Sequence, residues 1–354
     1  MLLLHAALED DPKAAHHCFA RWRREIERGP GCVDYASGRL LPRVYRNLAR
    51  GSAAFPHAQQ LRGLYRLSWK HGQDIQRGSV QAIGLLLEHG IAVLVSKGVA
   101  LMHDYYGSIG ERPINDCDIY VPEADLERAG ELLRASGWKQ ERIFFADFSQ
   151  RERATLAFGQ CYRHPVYGEV DLHGRIVKDW SSADIERGIW QRAEAMRMGP
   201  VEVRRPCATH LLFHVLAHGV RPDHYPALRW VTDVVLMLRK APEQVDWEEF
   251  WRMAREAKVA SRVGAGLSLV RDEFGVPVEV PSFAAFSPLE LLESRVYNRT
   301  PSFDTGMRSM LYEIAERMRR LSQRSWRQRG LSVLRFARQR FGRSRSDDHP
   351  DMAE

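Results

Sequence analysis

The sequence lacks an apolar run that could cross a membrane. A spanning helix needs roughly 18 to 20 apolar residues, and Glu88, His89 and Lys97 interrupt the best candidate. The N-terminal residues, MLLLHAALEDDPK, have no basic region and turn acidic at once, so no secretory signal peptide is predicted. These two absences predict a cytoplasmic protein.

The sequence also lacks the cysteine spacing of a disulfide framework or a cysteine-based zinc site. Its five cysteines are scattered and odd in number, and no pair has C-x-x-C spacing. We therefore expect reduced thiols. The five are Cys18, Cys32, Cys117, Cys161 and Cys207.

Positive charge is concentrated near the C-terminus. The formal net charge is +7, but residues 317–345 alone hold eleven arginines and no acid, so the rest of the chain is net acidic. This arginine tail has three interpretations: nucleic-acid binding through phosphates, contact with an anionic membrane, or a solvated basic helix packed on the body. The membrane interpretation depends on four interleaved apolar residues, Leu331, Leu334, Phe336 and Phe341.

Hydrophobic periodicity predicts an α+β protein with a mixed sheet core between helical flanks. At 354 residues the chain is long enough for more than one domain. We expect an N-terminal helical cap over 1–90, a sheet core over 91–180, a helical domain over 181–300, and a basic helical tail with a disordered end over 301–354. Strands are predicted near 91–95, 116–121, 139–145, 154–162 and 169–176, with a short strand at 201–203.

Three acids stand out on the predicted sheet. Asp116 and Asp118 are spaced i and i+2, which on a strand would place both carboxylates on one face, about 7 Å apart. Two such carboxylates repel each other unless a cation lies between them or one is protonated. Asp171 lies on a later strand and could complete a site for two metal ions, as phosphoryl transfer uses.

A possible phosphate-binding turn precedes these acids. Lys97 and Gly98 follow a short apolar run and begin a predicted helix. Backbone N–H groups at a helix N-terminus favour phosphate, and Lys97 could add charge-assisted hydrogen bonds. With a nucleotide in this position, the expected cation is Mg²⁺.

The chain resembles the uncharacterised, minimal-type nucleotidyltransferases of the DNA polymerase beta-like superfamily. The resemblance covers roughly residues 80–240. It is carried by KGVAL at Lys97–Leu101, RPINDCDIYV at Arg112–Val121 and VDLH at Val170–His173. Two positions depart from the superfamily pattern: Gly98 is followed by Val99 rather than Gly or Ser, and Gly174 stands where Trp is frequent.

The resemblance implies Mg²⁺-dependent transfer of a nucleoside monophosphate from an NTP, with ATP expected, to a hydroxyl acceptor, releasing pyrophosphate. Two Mg²⁺ ions would be bound by the catalytic carboxylates Asp116, Asp118 and Asp171. The acceptor could be a small molecule, a peptide or protein, or an RNA end. The expected nucleotide-binding residues are Lys97, Gly98, Arg112 and His173, although Arg112 and His173 could instead have structural roles.

Two other functions remain open from the sequence. The fold could serve as a non-catalytic module that binds RNA or a protein partner. Alternatively, His103-Asp104 spells the HD dipeptide of metal phosphohydrolases, and His210, His214 and His218 share one face of a predicted helix. Asp233 could hydrogen-bond one of these histidines from the next helix. Acceptor specificity is expected near four residues of the helical half, His214, His218, Arg229 and Trp230.

Overall fold

The structure is a computed structural model. It describes residues 1–28, 33–51, 54–141, 159–176, 183–220 and 228–282. The predicted arginine tail therefore lies outside the described residues, as do parts of the strands predicted over 139–145 and 154–162. No described helix is both long and apolar enough to span a bilayer.

Among the described residues, five helices precede the first strand, in the range predicted as a helical cap. The longest of them, α5 (Ala58–Glu88), has 31 residues, and most of its buried apolar residues share a hydrophobic cluster with residues of the sheet. Buried apolar residues of α1, α2 and α4 join one hydrophobic cluster. The five helices are α1 (Leu2–Leu8), α2 (Pro12–Arg28), α3 (Tyr35–Gly38), α4 (Leu41–Leu48) and α5 (Ala58–Glu88).

A seven-stranded mixed sheet forms the centre, in the order β3-β4-β5-β2-β1-β7-β6. The β2–β5 and β1–β7 pairs are parallel, and the other four pairs are antiparallel. The strands are β1 (Leu94–Val95), β2 (Asp118–Tyr120), β3 (Lys139–Gln140), β4 (Gln160–His164), β5 (Gly168–His173), β6 (Glu194–Met198) and β7 (Val201–Arg205). This sheet between helical segments confirms the predicted α+β class.

The remaining helices alternate with the strands and then follow them. Gly137 lies two residues after the end of α7. Its φ near +90° is the left-handed conformation expected just after a helix C-terminus. The helices are α6 (Lys97–Tyr105), α7 (Leu126–Ala135), α8 (Ala183–Gln191), α9 (Ala208–Gly219), α10 (Arg229–Lys240), α11 (Trp247–Glu256) and α12 (Ala260–Phe274).

The two faces of the sheet belong to different hydrophobic clusters. Val95 and Ile119 pack with residues of α5 and α7. Their strand neighbours Leu94 and Tyr120 point the other way and pack with residues of α9, α10, α11 and α12. Because strand residues alternate between faces, Asp118 lies on the same face as Tyr120. Asp118, with Asp171 beside it in β5, is therefore on the side of the sheet that the C-terminal helices cover.

One edge of the sheet differs from the sequence prediction. From residue 182 onward, helix was predicted with only a short strand at 201–203. The structure instead has a β6–β7 hairpin that joins the central sheet. Glu194, Ala195 and Met196 are good helix formers, yet Met196 and Met198 are buried in alternation and Gly199 turns at φ near +61°. Pairing of β6 with β7 overrides local propensity here.

A close approach between α5 and the β4–β5 turn gives a stability prediction. A Cβ at Gly78 would lie 1.6 Å from the Tyr167 carbonyl oxygen, which cannot move without shifting the turn. We expect Gly78→Ala to reduce the free energy of unfolding by about 3 kcal/mol or more, the upper end of overpacking costs. Urea denaturation measures the change.

Gly63 supplies the matched control on the same helix. A Cβ there meets no heavy atom within 4 Å, so Gly63→Ala is expected to raise stability by about 0.5–1 kcal/mol through helix propensity. Equal effects at Gly63 and Gly78 would show that the turn does not pack against α5 in this way.

Candidate active site

The parallel register of β2 and β5 places two of the three predicted acids side by side. Asp118 pairs with Asp171, and Tyr120 with His173, in adjacent strands. Asp118, Asp171 and His173 offer ligand atoms that all lie within 4.8 Å of one another. Strand pairing thus places Asp171 beside the D-x-D motif, although it lies 53 positions after Asp118 in the chain.

Asp118 is held in its ionised form by two neighbours. Lys97 Nζ donates to Asp118 Oδ1 at 2.6 Å, and His173 Nε2 lies 3.0 Å from the same oxygen. Burial opposes ionisation, but the attraction of Lys97 and the hydrogen bond from His173 outweigh it, so the pKa of Asp118 lies well below its ordinary value. His173 is buried and stacks on Tyr120 at 4.7 Å between ring centroids, which fits a structural role in supporting Asp118.

Asp171 has the opposite electrostatic environment. Burial, followed by repulsion from Asp116 and Asp118, raises the pKa of Asp171 to about 6. The same causes, burial and then the charge of Asp118, raise the pKa of Asp116, whereas Lys97 and Arg229 lower it. Three carboxylates thus share a region of negative potential that a cation would relieve.

Asp116 lies outside the strand on which the sequence places it. Strand β2 begins at Asp118, although the Cys117 carbonyl already accepts a hydrogen bond from the Asp171 N–H. The i, i+2 argument therefore does not place the Asp116 carboxylate. The segment before β2 is held instead by long-range side-chain bonds, among them Asn115 Nδ2 to the Tyr35 hydroxyl at 3.1 Å.

The donor set fits a hard divalent cation. Asp118 and Asp171 offer carboxylate oxygens, which Mg²⁺ prefers, and Asp116 is close enough to raise the pKa of Asp171 by charge repulsion. A second ligand group in the described chain, Cys161, Glu169 and Asp171, shares Asp171. Burial raises the pKa of Cys161 to about 12, so this thiol is protonated and the oxygen ligands remain the better set.

Lys97 adopts a backbone conformation that non-glycine residues seldom use. Its φ is near +50° at the first residue of α6, which costs about 1–2 kcal/mol for an L-residue with a Cβ. Such strain is concentrated at functional sites. Here it accompanies the placement of the Lys97 ammonium on Asp118.

Gly98 is required by packing. A Cβ at this position would lie 2.9 Å from Ile114 Cγ2 and 3.1 Å from Arg112 Nη1. The absent side chain therefore lets the start of α6 approach the R-P segment that leads into β2. Val99, which follows it, is buried and packs in the cluster under the sheet.

Arg112 braces this segment against helix α10. Its Nε and Nη2 donate to the two carboxylate oxygens of Asp233 at 2.8 and 2.9 Å, and the Tyr106 hydroxyl donates to Asp233 Oδ1 at 2.6 Å. Arg112 and Asp233 are both buried. Burial disfavours the Arg112 cation, but the Asp233 carboxylate outweighs it and raises the pKa of Arg112. These contacts match the structural alternative for Arg112.

Two histidines of α9 have separate hydrogen-bond partners. His210 Nε2 lies 3.5 Å from Glu249 Oε1, and His214 Nδ1 lies 3.0 Å from Ser96 Oγ. In the described ranges, neither of the two groups able to hold a metal contains a residue of α9, His103 or Asp104. His103 and Asp104 bond each other, and Arg205 pairs with Asp104. Over the part of the chain that the structure describes, the phosphohydrolase alternative therefore has no candidate metal centre.

A cluster of arginines lies near the acids. The sequence patterns do not predict most of this cluster. Arg39 and Arg229 both donate to the Pro113 carbonyl, three residues before Asp116. Arg229 was expected only as a position for acceptor specificity, and Arg39 was part of the helical cap. Arg39 lies 74 residues before Pro113 and follows no motif, so only the folded chain reveals this contact.

The family of this chain follows from its match to a sequence profile. The sequence profile of the uncharacterised nucleotidyltransferase family matches residues 35–275, more than half of the chain. The protein belongs to this family. The match spans Lys97, the D-x-D motif and Asp171, and it confirms the predicted family.

Solved structures that are similar to this chain include the following two. An antigenic nucleotidyltransferase-like protein from Paracoccidioides brasiliensis has a TM-score of 0.39 and 14% identity, covering 61% of this chain and 95% of its own. The antibiotic-resistance factor ANT(2'')-Ia has a TM-score of 0.32 and 13% identity, covering 59% and 95% respectively. No curated protein sequence matches this chain.

Proposed function

We propose that the protein transfers a nucleoside monophosphate from an NTP to a hydroxyl acceptor, with Mg²⁺, and releases pyrophosphate. The observation that carries this proposal is the adjacency of Asp118 and Asp171 in paired strands, with Lys97 bonded to Asp118 at the start of a helix. The family is a nucleotidyltransferase family. ATP is the expected nucleotide.

Asp116, Asp118 and Asp171 would hold two Mg²⁺ ions. When bound, the metal would neutralise charge on the reacting phosphate and on the departing pyrophosphate. The unequal pKa values suit this role, because the pKa of Asp118 lies well below its ordinary value, whereas burial and then repulsion from neighbouring carboxylates raise the pKa values of Asp116 and Asp171. That repulsion favours binding of a cation over an empty site.

The chain's own residues would position the substrates. Lys97 and the backbone at Gly98 would bind the triphosphate at the start of α6, and His173 would keep Asp118 oriented through its 3.0 Å contact. Arg112 would act through the segment that it braces rather than by direct contact with the nucleotide. Such positioning supplies much of the rate enhancement when a protein contributes little covalent chemistry.

The acceptor can be a small molecule, a peptide or protein side chain, or an RNA end. The arginine tail, 317–345, is a proposed contact for nucleic acid or an anionic membrane. We further propose the division into a cap (1–90), a sheet core (91–180) that the β6–β7 hairpin joins, a helical domain (181–300) and a tail (301–354), and a cytoplasmic location.

The proposal is tested by incubating the full chain with each of four labelled NTPs, Mg²⁺ and fractions of small molecules, protein or RNA. We expect pyrophosphate release with label transfer to one fraction, and loss of both on chelation. A separate Mg²⁺ titration followed by calorimetry reads metal binding without turnover. Mg²⁺ binding without turnover in any fraction would favour the non-catalytic alternative.

Lys97→Met tests the role of the lysine at this turn. Removing the ammonium deletes a charge-assisted bond to Asp118 and the proposed triphosphate contact, so we expect kcat/KM for the NTP to fall about 100-fold. Lys70→Met is the matched control, since Lys70 pairs with Asp74 on the exposed surface of α5. Unchanged kinetics in Lys97→Met would exclude Lys97 from the site.

A further inference from the structure

Three guanidinium groups, those of Arg39, Arg112 and Arg229, lie near the D-x-D motif. Only one of the three forms an ion pair with a carboxylate among the described residues. Arg112 is neutralised by Asp233. Arg39 and Arg229 form no ion pair with any carboxylate in the described ranges. Both donate instead to a single neutral acceptor, the Pro113 carbonyl. Two positive charges in a partly buried place thus have no directly paired carboxylate, and Asp116 and Asp233 attract them only from beyond ion-pair distance.

The pKa values of both arginines are lowered in this environment. Burial, then repulsion from Arg112 and Arg39, lowers the pKa of Arg229 to about 9. Burial also lowers the pKa of Arg39, with Arg112 adding to that effect. A guanidinium ordinarily keeps its charge far above this range, so the site destabilises the cations. Binding of an anion would remove that cost.

Arg39 has one donor atom without a partner among the described residues. It is also linked through hydrogen bonds to the segment before β2. Arg39 Nε is buried with no hydrogen-bond partner among the described residues. Arg39 Nη1 donates to the Tyr35 hydroxyl at 3.2 Å, and Asn115 donates to the same hydroxyl. Asn115 immediately precedes Asp116. An anion bound by Arg39 would therefore lie beside the residue that begins the D-x-D motif.

We infer that Arg39 and Arg229 form a binding subsite for a phosphate-bearing anion. The planar, multi-donor guanidinium matches phosphate oxygens in geometry as well as charge. This inference rests on the proposed function and refines it: the anion belongs either to the pyrophosphate part of the NTP or to a phosphorylated acceptor. In both cases the subsite disfavours cationic acceptors, because two unneutralised arginines repel them.

Inorganic pyrophosphate, titrated by calorimetry in the presence of a chelator, tests the subsite without requiring turnover or metal. We expect the full-length protein to bind it, and Arg39→Gln and Arg229→Gln to weaken the affinity about tenfold each, the effect of one charge-assisted bond. Arg239→Gln is the control, since Arg239 lies on the same helix as Arg229 and donates to the Leu8 and Phe274 carbonyls. The Arg239→Gln variant should bind pyrophosphate with the same affinity as the unchanged protein.

A competition arm distinguishes the two sources of the anion. With Mg²⁺ and a non-hydrolysable ATP analogue at saturation, loss of pyrophosphate binding assigns the subsite to the NTP. Retained binding assigns it to the acceptor. Either result supports a phosphate subsite at Arg39 and Arg229.

If Arg229→Gln does not fold, the Arg39 variants test the inference alone. We expect them to fold because Arg39 donates to only one carbonyl and one hydroxyl in the described chain. Arg39→Lys keeps the charge and is expected to recover part of the affinity. Pyrophosphate binding that is absent, or unchanged in folded Arg39→Gln, would overturn the inference. Failure of nucleotidyl transfer alone would not, because this titration involves neither Mg²⁺ nor turnover.

Discussion

Asp118→Asn is expected to lower nucleotidyl transfer by about 1,000-fold or more while the protein stays folded. Asparagine keeps the shape of the side chain but removes the negative charge that Lys97 and His173 stabilise. Electrostatic groups of this kind each contribute on the order of 100- to 1,000-fold to a rate, and loss of a metal ligand also weakens the cation. Pyrophosphate release under saturating NTP and Mg²⁺ measures the effect.

Asp184→Asn is the matched control. Asp184 is an exposed acid of α8 that pairs with Arg187, so its neutralisation should leave the rate unchanged. Circular dichroism and the melting temperature establish whether each variant is folded. A folded Asp118→Asn protein with nearly full activity would place the chemistry elsewhere.

Asp233→Ala is expected to reduce the free energy of unfolding by about 3–5 kcal/mol, the largest stability effect that we predict. The substitution leaves the Arg112 cation buried without its bidentate partner, and this uncompensated charge is what makes breaking a buried pair costly. The Tyr106 hydroxyl also loses its acceptor. Urea denaturation measures the loss.

A double substitution separates the cost of the stranded charge from the contribution of the pair. Replacing both members with apolar residues, Arg112→Met with Asp233→Leu, removes the buried charges together, and such replacements are often neutral or stabilising. We expect the double variant to be more stable than Asp233→Ala by about 2 kcal/mol or more. Equal destabilisation would mean that the bond geometry, and not the unpaired charge, is what stabilises the R-P segment.

The motifs and the sheet core were predictable because their signals are local. Alternating apolar residues around Val170 and Leu172 indicate a strand, and its face assignment puts Asp171 and His173 together, as the structure has them. The Lys97-Gly98 turn before a helix was equally readable. Antiparallel pairing of β1 with β2 could not be deduced from length alone, since a connection through a helix can join strands of either direction.

The contacts that hold the site were not predictable, because they join distant positions without periodicity. Asp233 was considered as a partner for a histidine of α9, whereas the structure pairs it with Arg112, 121 residues earlier. Arg39 appeared only as part of a helical cap. Similarly, the β6 strand has a helix-favouring composition, and only pairing with β7 and the turn at Gly199 reveal it.

The most direct test of the central claim follows labels at two positions of the NTP. With the α-phosphate labelled, we predict that label moves to the acceptor; with the γ-phosphate labelled, it appears in pyrophosphate, and both events stop on chelation of Mg²⁺. Transfer of the γ-label to the acceptor would instead show phosphoryl transfer. That result, or no release from either position in any acceptor fraction, would contradict nucleotidyl transfer at Asp116, Asp118 and Asp171.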